Sequence, residues 1–217
     1  MPRKAKLALS QDRIVEAAIE LLDKHGEDGL TFRDLADALA TGAGAIYHHV
    51  ANKDELLDAA ATMAIAPVLD VKKKKPAETI RALALAMFDL IDRRAWIGAA
   101  LSRQAGQGAM TQIYERFGAQ LVALGVPQKS LFYVASTLVN YVVGVATQNA
   151  ALARSAQATK TISRDAMLNA AAEKWLALDP VQFPVMHAMA AQLREHDDRA
   201  QFLAGIDLIL AGIEALQ

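Results

Sequence analysis

Hydrophobic side chains recur at intervals of three and four residues along almost all of this 217-residue chain. Near the N-terminus, Ile14, Ala18 and Leu22 fall on one face of such a pattern, and charged residues occupy the opposite face. This is the period of an amphipathic α-helix, whereas a half-buried strand alternates every second residue. We find no strand-like run and no internal repeat in the sequence. The sequence therefore predicts an all-α protein.

Capping residues divide the first 70 residues into four predicted helices. Three polar residues have the type and position of helix N-caps: Ser10, Thr31 and Asn52. Gly26 stands where a left-handed residue is wanted after the first helix. A tight turn over residues 40–42 separates the second helix from a short third helix over 43–50. We expect Pro67 to end or kink the fourth helix, because proline removes a backbone donor and crowds the preceding turn.

Two predicted helices in the second half of the chain are apolar on more than one face. One begins at Pro127 and runs to about residue 154, and the other covers residues 200–216. A helix of this kind must be buried on several sides. In a chain of this size, that requirement indicates a partner subunit, which would contact the helices near 128–154 and 200–216. The lysine run at 72–75 is expected to be a solvated loop.

Composition limits the class of protein. Hydrophobic residues make up 53% of the chain, which is enough for a sizeable core, and cysteine is absent. Disulfides, thiolate catalysis and cysteine-based zinc sites are therefore excluded. No uninterrupted stretch of 18 apolar residues and no signal sequence is found, so we expect a soluble, cytoplasmic protein with no membrane partner. A formal net charge of -1 gives no overall attraction to nucleic acid.

Three short helices with a four-residue turn between the second and third describe a helix-turn-helix domain. The segments "GLTFRDLADAL" and "AIYHHVANKDELLDAA", together with the opening amphipathic helix, resemble the N-terminal domain of the TetR family of bacterial transcriptional regulators. The C-terminal "FLAGIDLILAGIEAL" is similar to the last dimerisation helix of that family. The resemblance implies a homodimer that places two recognition helices in successive major grooves of a palindromic operator. It also implies that a small molecule in the C-terminal domain releases the DNA.

The resemblance divides the chain into two parts. Residues 1–52 would form the helix-turn-helix DNA-binding domain with an N-terminal basic arm, and residues 53–217 a larger helical domain for effector binding and dimerisation. The fourth helix is expected to belong to both parts, because it begins at the DNA and ends against the effector domain.

By match to the family pattern, seven residues occupy DNA-facing positions: Arg33, Ala43, Gly44, Ala45, Tyr47, His49 and Lys53. Lys4 and Lys6 lie in a basic arm that either follows the minor groove or is a solvated tail. Glycine and alanine at the front of the recognition helix cannot make bidentate hydrogen bonds to bases. Sequence would be read through thymine methyl groups, close backbone approach and DNA shape. Residues 1–60 carry seven Lys and Arg against eleven Asp and Glu, so we expect few phosphate contacts and a shallow salt dependence.

An all-helical domain of this size is a common place for an apolar ligand pocket. Aromatic, methionine and polar side chains within apolar surroundings are candidates to line it: Phe88, Trp96, Gln104, Met110, Tyr114, Phe117, Tyr133 and Asn140, with His187 as a further orienting group. For each of them, ordinary core packing is the alternative. The expected effector is small and largely apolar.

Other site chemistries are not favoured by the sequence. His48 and His49 are adjacent and face different directions on a helix, whereas zinc-binding histidines are typically spaced i, i+4. The glycines of "GQGAM" at 106–110 follow no strand and indicate a helix break, not a nucleotide site. No nucleophile and base are paired in a recognisable pattern, so we expect neither an enzyme nor a cofactor. The alternatives to an effector-released repressor are a DNA-binding regulator without an effector and, remotely, a helical enzyme or lipid-binding protein.

Overall fold

The computed structural model of the chain describes residues 9–103, 108–159 and 163–215. Within these ranges every regular element is an α-helix, which confirms the all-α prediction. The helices are α1 Gln11–His25, α2 Phe32–Ala38, α3 Ala43–Tyr47, α4 Lys53–Leu69, α5 Pro76–Arg93, α6 Ala95–Arg103, α7 Gly108–Ala123, α8 Gln128–Thr159, α9 Arg164–Leu176, α10 Pro184–Arg194 and α11 Asp198–Glu214.

The predicted helix caps are present in the structure. The Ser10 hydroxyl accepts from the N–H of Arg13 at 3.4 Å, and the Thr31 hydroxyl accepts from the N–H of Asp34 at 3.1 Å. The Asn52 side chain accepts from the N–H of Glu55 at 2.8 Å. Each bond satisfies a donor that the first turn of a helix leaves without a backbone partner. The starts of α1, α2 and α4 are thus fixed by local sequence.

Helix α4 continues through Pro67 and ends at Leu69, so the proline does not end the helix. The guanidinium of Arg116, on α7, donates to the carbonyl oxygens of Leu69 at 2.6 Å and Val71 at 2.7 Å. These charge-assisted bonds satisfy carbonyl groups at and just beyond the end of α4. The tertiary contact therefore supports a last turn that the proline alone would weaken.

Three helix boundaries differ from their predictions. Helix α3 ends at Tyr47 and not at residue 50, because the N–H groups of His49 and Val50 both bond to the carbonyl of Ile46 in a closing turn. Helix α8 extends five residues beyond the predicted 154, to Thr159. Helix α11 begins at Asp198, since Asp197 caps it by accepting from the N–H of Ala200 at 2.7 Å.

One continuous hydrophobic core joins the two parts of the chain through α4. Helix α4 packs against α1 of the first part and against α5, α6 and α7 of the second. Buried residues of the three-helix head, such as Ile14 and Ile46, belong to the same cluster as Leu83 on α5 and Phe117 on α7. A displacement of α4 therefore shifts its packing partners in both parts of the chain, since close-packed cores transmit strain.

Helix α8 lies at the centre of the larger domain and packs against α5, α6, α7 and α11. Its outer face carries exposed apolar side chains, with Phe132 and Tyr133 each 72% exposed. Leu208 of α11 is 76% exposed as well. In the part of the chain that the structure describes, one helical stretch, Gln128–Ser155, is long and apolar enough to cross a membrane by length and composition alone, and a third of its most apolar window is buried inside the protein.

Helices α8 and α11 are joined within one chain by Tyr141. Its ring stacks on that of Phe202 with centroids 5.7 Å apart, and its hydroxyl donates to the Phe202 carbonyl at 3.1 Å. Burial raises the pKa of the Tyr141 hydroxyl, so that it stays a donor. A Cβ atom at Gly205 would overlap the tyrosine ring. Glycine at this position therefore allows the close approach of the two helices.

Candidate nucleic-acid interface

Helix α3 and the turns that flank it expose their glycines and bury their branched residues. Ile46 and Val50 are buried against the three-helix head, whereas Gly42 and Gly44 are exposed. A Cβ atom built at Gly44 would meet nothing within 4 Å. The front of this helix is therefore bare backbone that another molecule can approach closely.

The turn between α2 and α3 has the tight geometry expected of a helix-turn-helix unit. Ala40 adopts φ 49°, in the left-handed region that only glycine enters at low cost. The N–H of Thr41 bonds back to the carbonyl of Ala36 at 3.0 Å. The predicted turn over residues 40–42 is confirmed, and it sets the direction in which α3 leaves α2.

Tyr47 and His49 lie beyond the small residues, at the C-terminal end of α3. The Tyr47 ring stacks on Phe32 of α2, with centroids 4.5 Å apart and planes 6° from parallel. The ring nevertheless remains 54% exposed. Its position is thus fixed by α2, while its outer face is accessible. His49 is exposed in the turn that follows.

The cationic residues predicted to bind phosphate have different surroundings. Arg33 is exposed on α2. The ammonium of Lys53 is partly buried and donates to the carbonyl oxygen of Glu27 at 2.7 Å, a contact that the sequence analysis did not predict. A lysine has three donors, so two are left for another acceptor. Lys4 and Lys6 lie outside the described residues.

Side chains of the larger domain hold the end of α1, in a group that we call the α1–α6 clasp. It comprises Asp23, Glu27, Arg94, Trp96 and Arg103. Asp23 accepts from the Trp96 indole at 2.8 Å and pairs with Arg94 at 3.1 Å. Glu27 pairs with Arg103 at 2.5 Å. Two carboxylates of the acidic head are therefore neutralised by cations from the rest of the chain.

A second link joins α4 to the beginning of α7. The N–H of Ala109, in the first turn of α7, donates to the carboxylate of Asp58 at 3.3 Å. A carboxylate at a helix N-terminus is favoured by the unsatisfied N–H groups and the helix dipole. Asp58 thus connects the helix that starts beside the DNA-reading head to the larger domain.

The predicted ligand-binding residues have different surroundings in the structure. Met110 and Phe117 are buried in the core, and Tyr114 packs against it. Trp96 belongs to the clasp, whereas Tyr133 and Asn140 are exposed on α8. Gln104 lies outside the described residues. His187, on α10, bonds to the carbonyl of Leu178 at 2.7 Å.

Phe88, another of the predicted lining residues, borders an opening on the surface. An open cleft of about 270 Å³ lies between α5, α8 and the first residues of α9 and α11. Its lining is largely charged and polar, and includes Asp89, Asn149, Arg164 and Arg199. The amide nitrogen of Asn149 is buried and has no hydrogen-bond partner among the described residues. A bound molecule with a hydrogen-bond acceptor would satisfy it.

A helix-turn-helix head with an exposed reading helix, joined by a shared helix to a larger helical domain, defines a DNA-binding transcription regulator. The profile described as bacterial regulatory proteins of the tetR family matches residues 14–60. The profile described as the tetracyclin repressor-like C-terminal domain matches residues 74–217. The chain belongs to the TetR family.

Full-length relatives agree with this assignment. An HTH-type transcriptional regulator of Saccharopolyspora erythraea is 31% identical over 97% of this chain and 89% of its own length. The solved TetR regulator SCO7222 of Streptomyces coelicolor is 42% identical, covers 96% of this chain and 99% of its own, and superposes with a TM-score of 0.84. ActR of the same organism, solved in complex with actinorhodin, is similar in fold, with a TM-score of 0.81, 24% identity and coverage of 96% and 97%. Regulators of this family bind DNA and act as dimers.

Proposed function

We propose that this protein is a repressor that binds a palindromic operator as a homodimer and is released by a small molecule. The observation that carries the proposal is the exposed position of Gly42 and Gly44 at the front of α3, on a head that is tied to the larger domain through α4 and the α1–α6 clasp. DNA affinity would depend on how the larger domain holds each head, and the protein would act in the cytoplasm.

The proposed DNA contacts begin with the reading helix. Ala43, Gly44 and Ala45 would approach base edges, and the alanine methyl groups would contact thymine methyls. Tyr47 and His49 would donate hydrogen bonds to the sugar-phosphate backbone of the DNA. Arg33 and Lys53 would bind phosphate, and Lys4 and Lys6 would belong to an arm that follows the minor groove. With few cations at the interface, DNA shape would supply part of the sequence preference.

The proposed dimer interface consists of the outer faces of α8 and α11. Phe132, Tyr133 and Leu208 are more than 70% exposed in the single chain. Contiguous apolar patches on a soluble protein mark association sites. Two copies related by a two-fold axis would bury the same patch on each chain and would orient the two heads toward successive grooves.

Release would follow from linkage between the two sites. An effector that prefers a dimer with misaligned heads lowers DNA affinity by the same factor by which DNA lowers effector affinity. The corresponding coupling free energy is typically about 1 to 3 kcal/mol. The chain divides into residues 1–52 and 53–217. Helix α4 is proposed to transmit the change between these parts, because it begins at Lys53, a proposed phosphate contact, and packs against α5, α6 and α7. The clasp adds a second connection, because Glu27 bonds both to Lys53 at the start of α4 and to Arg103 on α6.

The effector would bind in the larger domain. Phe88 at the charged cleft is the best supported of the predicted lining residues, and the cleft favours an effector with a polar group beside its apolar part. A regulator without an effector is the second candidate. It is favoured by the burial of Met110 and Phe117, which are 7% and 0% exposed and belong to the hydrophobic core.

Selection of bound sequences from random duplex DNA tests the proposal. We expect a palindrome with half-sites about one helical turn or more apart, as two symmetric reading heads require, and a shallow dependence of affinity on salt. Failure to enrich any sequence at low salt would contradict DNA reading by α3. Release of the selected duplex by members of a small-molecule library, read by fluorescence anisotropy, would separate the effector-released repressor from the second candidate.

A further inference from the structure

The charged cleft beside Phe88 has an excess of negative charge. Among the described residues that line it, four are aspartates and two are arginines. Three of the aspartates and both arginines already have partners: Asp89 with Arg199 at 2.9 Å, Asp198 with Arg164 at 2.7 Å, and Asp197 with the N–H of Ala200 at 2.7 Å. The arginine charges are therefore compensated within the cleft, and the remaining charge is negative.

Asp92 is the remaining carboxylate of the cleft. It lies in the last turn of α5 and is exposed. It has no hydrogen-bond or ion-pair partner among the described residues. An ionised carboxylate only accepts hydrogen bonds, so the group that complements Asp92 is a cation with N–H donors.

Asn149 of α8 adds the opposite requirement. It lines the same cleft, and its amide nitrogen is buried without a hydrogen-bond partner among the described residues. A buried donor without an acceptor costs free energy, and native proteins leave few of them. An oxygen acceptor on a bound molecule would satisfy this nitrogen. Phe88 and Ala153 add apolar contact beside it.

The end of α5 that carries Asp92 is also connected to the reading head. Arg94 follows Asp92 by two residues, and its guanidinium pairs with Asp23 of α1 at 3.1 Å in the α1–α6 clasp. The N–H of Arg94 closes the last turn of α5 by bonding to the carbonyl of Leu90 at 2.9 Å. A molecule that moves Asp92 therefore acts on the turn that positions Arg94, through a contiguous set of contacts.

We propose that the effector is a small organic amine, protonated at neutral pH, that carries an oxygen acceptor and binds in this cleft. Its ammonium group pairs with Asp92, its oxygen accepts from Nδ2 of Asn149, and its apolar part lies against Phe88. A cleft of about 270 Å³ is small among ligand pockets, so the effector is compact. This inference rests on the proposed function, because it names the class of molecule that would release the DNA.

Phenoxyethylamine is a probe with all three features, and ligand-observed NMR measures its binding to the whole protein. Two analogues each remove one feature: phenoxyethanol lacks the positive charge, and phenylpropylamine has a methylene group in place of the ether oxygen. We expect phenoxyethylamine to bind at least about threefold more tightly than either analogue, as for a solvent-accessible ion pair or one net hydrogen bond. Phenoxyacetate, which reverses the charge, should not bind at concentrations that saturate the amine.

Substitutions at the two polar contacts place the amine in the cleft. Asp92→Asn should weaken amine binding about threefold, whereas Glu115→Gln, at an exposed carboxylate of α7 outside the cleft, should leave it unchanged. Asn149→Leu should weaken binding about fivefold without lowering the melting temperature, because it removes a donor that has no partner in the free protein. Thr147→Val is its matched control, since the Thr147 hydroxyl is likewise buried without a partner among the described residues but does not line the cleft.

As phenoxyethylamine saturates the protein, affinity for the selected duplex should fall at least about fivefold. Unchanged DNA affinity would overturn the role as effector. Absence of amine binding, equal binding of the neutral analogue, or equal binding to the Asp92→Asn and Asn149→Leu variants would overturn the amine site.

The DNA experiments separate this inference from the proposed function. Release of the duplex by a neutral or anionic compound, without binding of phenoxyethylamine, would overturn the amine site and leave the proposed function standing. Failure to select any duplex would contradict the proposed function, whereas NMR still measures amine binding because it requires no DNA.

Discussion

The indole N–H of Trp96 on α6 donates to the carboxylate of Asp23 on α1 at 2.8 Å, across the junction of the reading head and the larger domain. Trp96→Phe keeps the buried ring and removes this one donor. We expect the free energy of unfolding to fall by about 1 to 2 kcal/mol, as for a hydrogen bond to a charged group. Urea denaturation measures the change. A double-mutant cycle with Asp23→Asn should reveal coupling, and additive losses would contradict a direct bond.

Gly44→Ala should stabilise the protein and weaken operator binding. Alanine is favoured over glycine inside a helix by about 1 kcal/mol, and its Cβ atom would meet nothing within 4 Å in the protein. The same methyl group would stand where the helix front approaches DNA. Gly118→Ala on α7 is the matched control, because its Cβ atom also meets open space.

Thermal melts and binding to the selected duplex distinguish the two variants. Both alanine variants should melt at a higher temperature than the natural protein, and only Gly44→Ala should lose DNA affinity. Equal affinity in both variants would place the front of α3 away from the DNA.

Arg116→Met should destabilise the protein, because it removes both donors to the carbonyls of Leu69 and Val71. We expect a loss of about 2 kcal/mol in chemical denaturation, since these carbonyls would be left with poorer partners at the end of α4. Arg93→Met, at an exposed arginine of α5, should change stability by less than about 0.5 kcal/mol. Equal effects from the two variants would mean that Arg116 does not support the end of α4.

Gly205→Ala should separate α8 from α11, because the new methyl group overlaps the ring of Tyr141. Overpacking of this kind costs about 1 to 3 kcal/mol, which thermal or chemical denaturation would detect. Adding Tyr141→Leu removes the ring, so the double variant should lose less stability than the sum of the two single variants. If the loss of stability in the double variant equals the sum of the two single losses, the Cβ atom at position 205 does not overlap the Tyr141 ring.

Much of the fold follows from local chemistry. Ser10, Thr31 and Asn52 accept from the N–H groups expected of N-caps, and Gly26 has a φ of 67° as a helix-ending residue should. These interactions lie within four residues in the sequence, so the pattern alone predicts them. The bonds from Arg116 to the carbonyls of Leu69 and Val71 join residues far apart in the sequence, and no local pattern carries that information.

The candidate sites also combine features that follow from local sequence with contacts between residues far apart in the chain. The exposure of Gly44 follows from the short sequence of α3, because Ile46 is its one large aliphatic residue and is buried. The clasp joins Asp23 and Glu27 to cations about 70 residues later in the chain, a separation that helical periodicity does not resolve. Periodicity also cannot separate a pocket lining from a core, and Phe117, a predicted lining residue, is completely buried.

The ion pairs of Asp23 and Glu27 affect the charge of the reading head when it is separated from the rest of the chain. Cut from the chain near residue 60, the fragment would keep all eleven of its acidic residues and lose Arg94 and Arg103, which compensate two of them. The freed carboxylates would repel the phosphodiester backbone at low ionic strength. The isolated head would therefore bind duplex DNA more weakly than the same head in the whole chain, because its carboxylates are partly neutralised by cations from the larger domain.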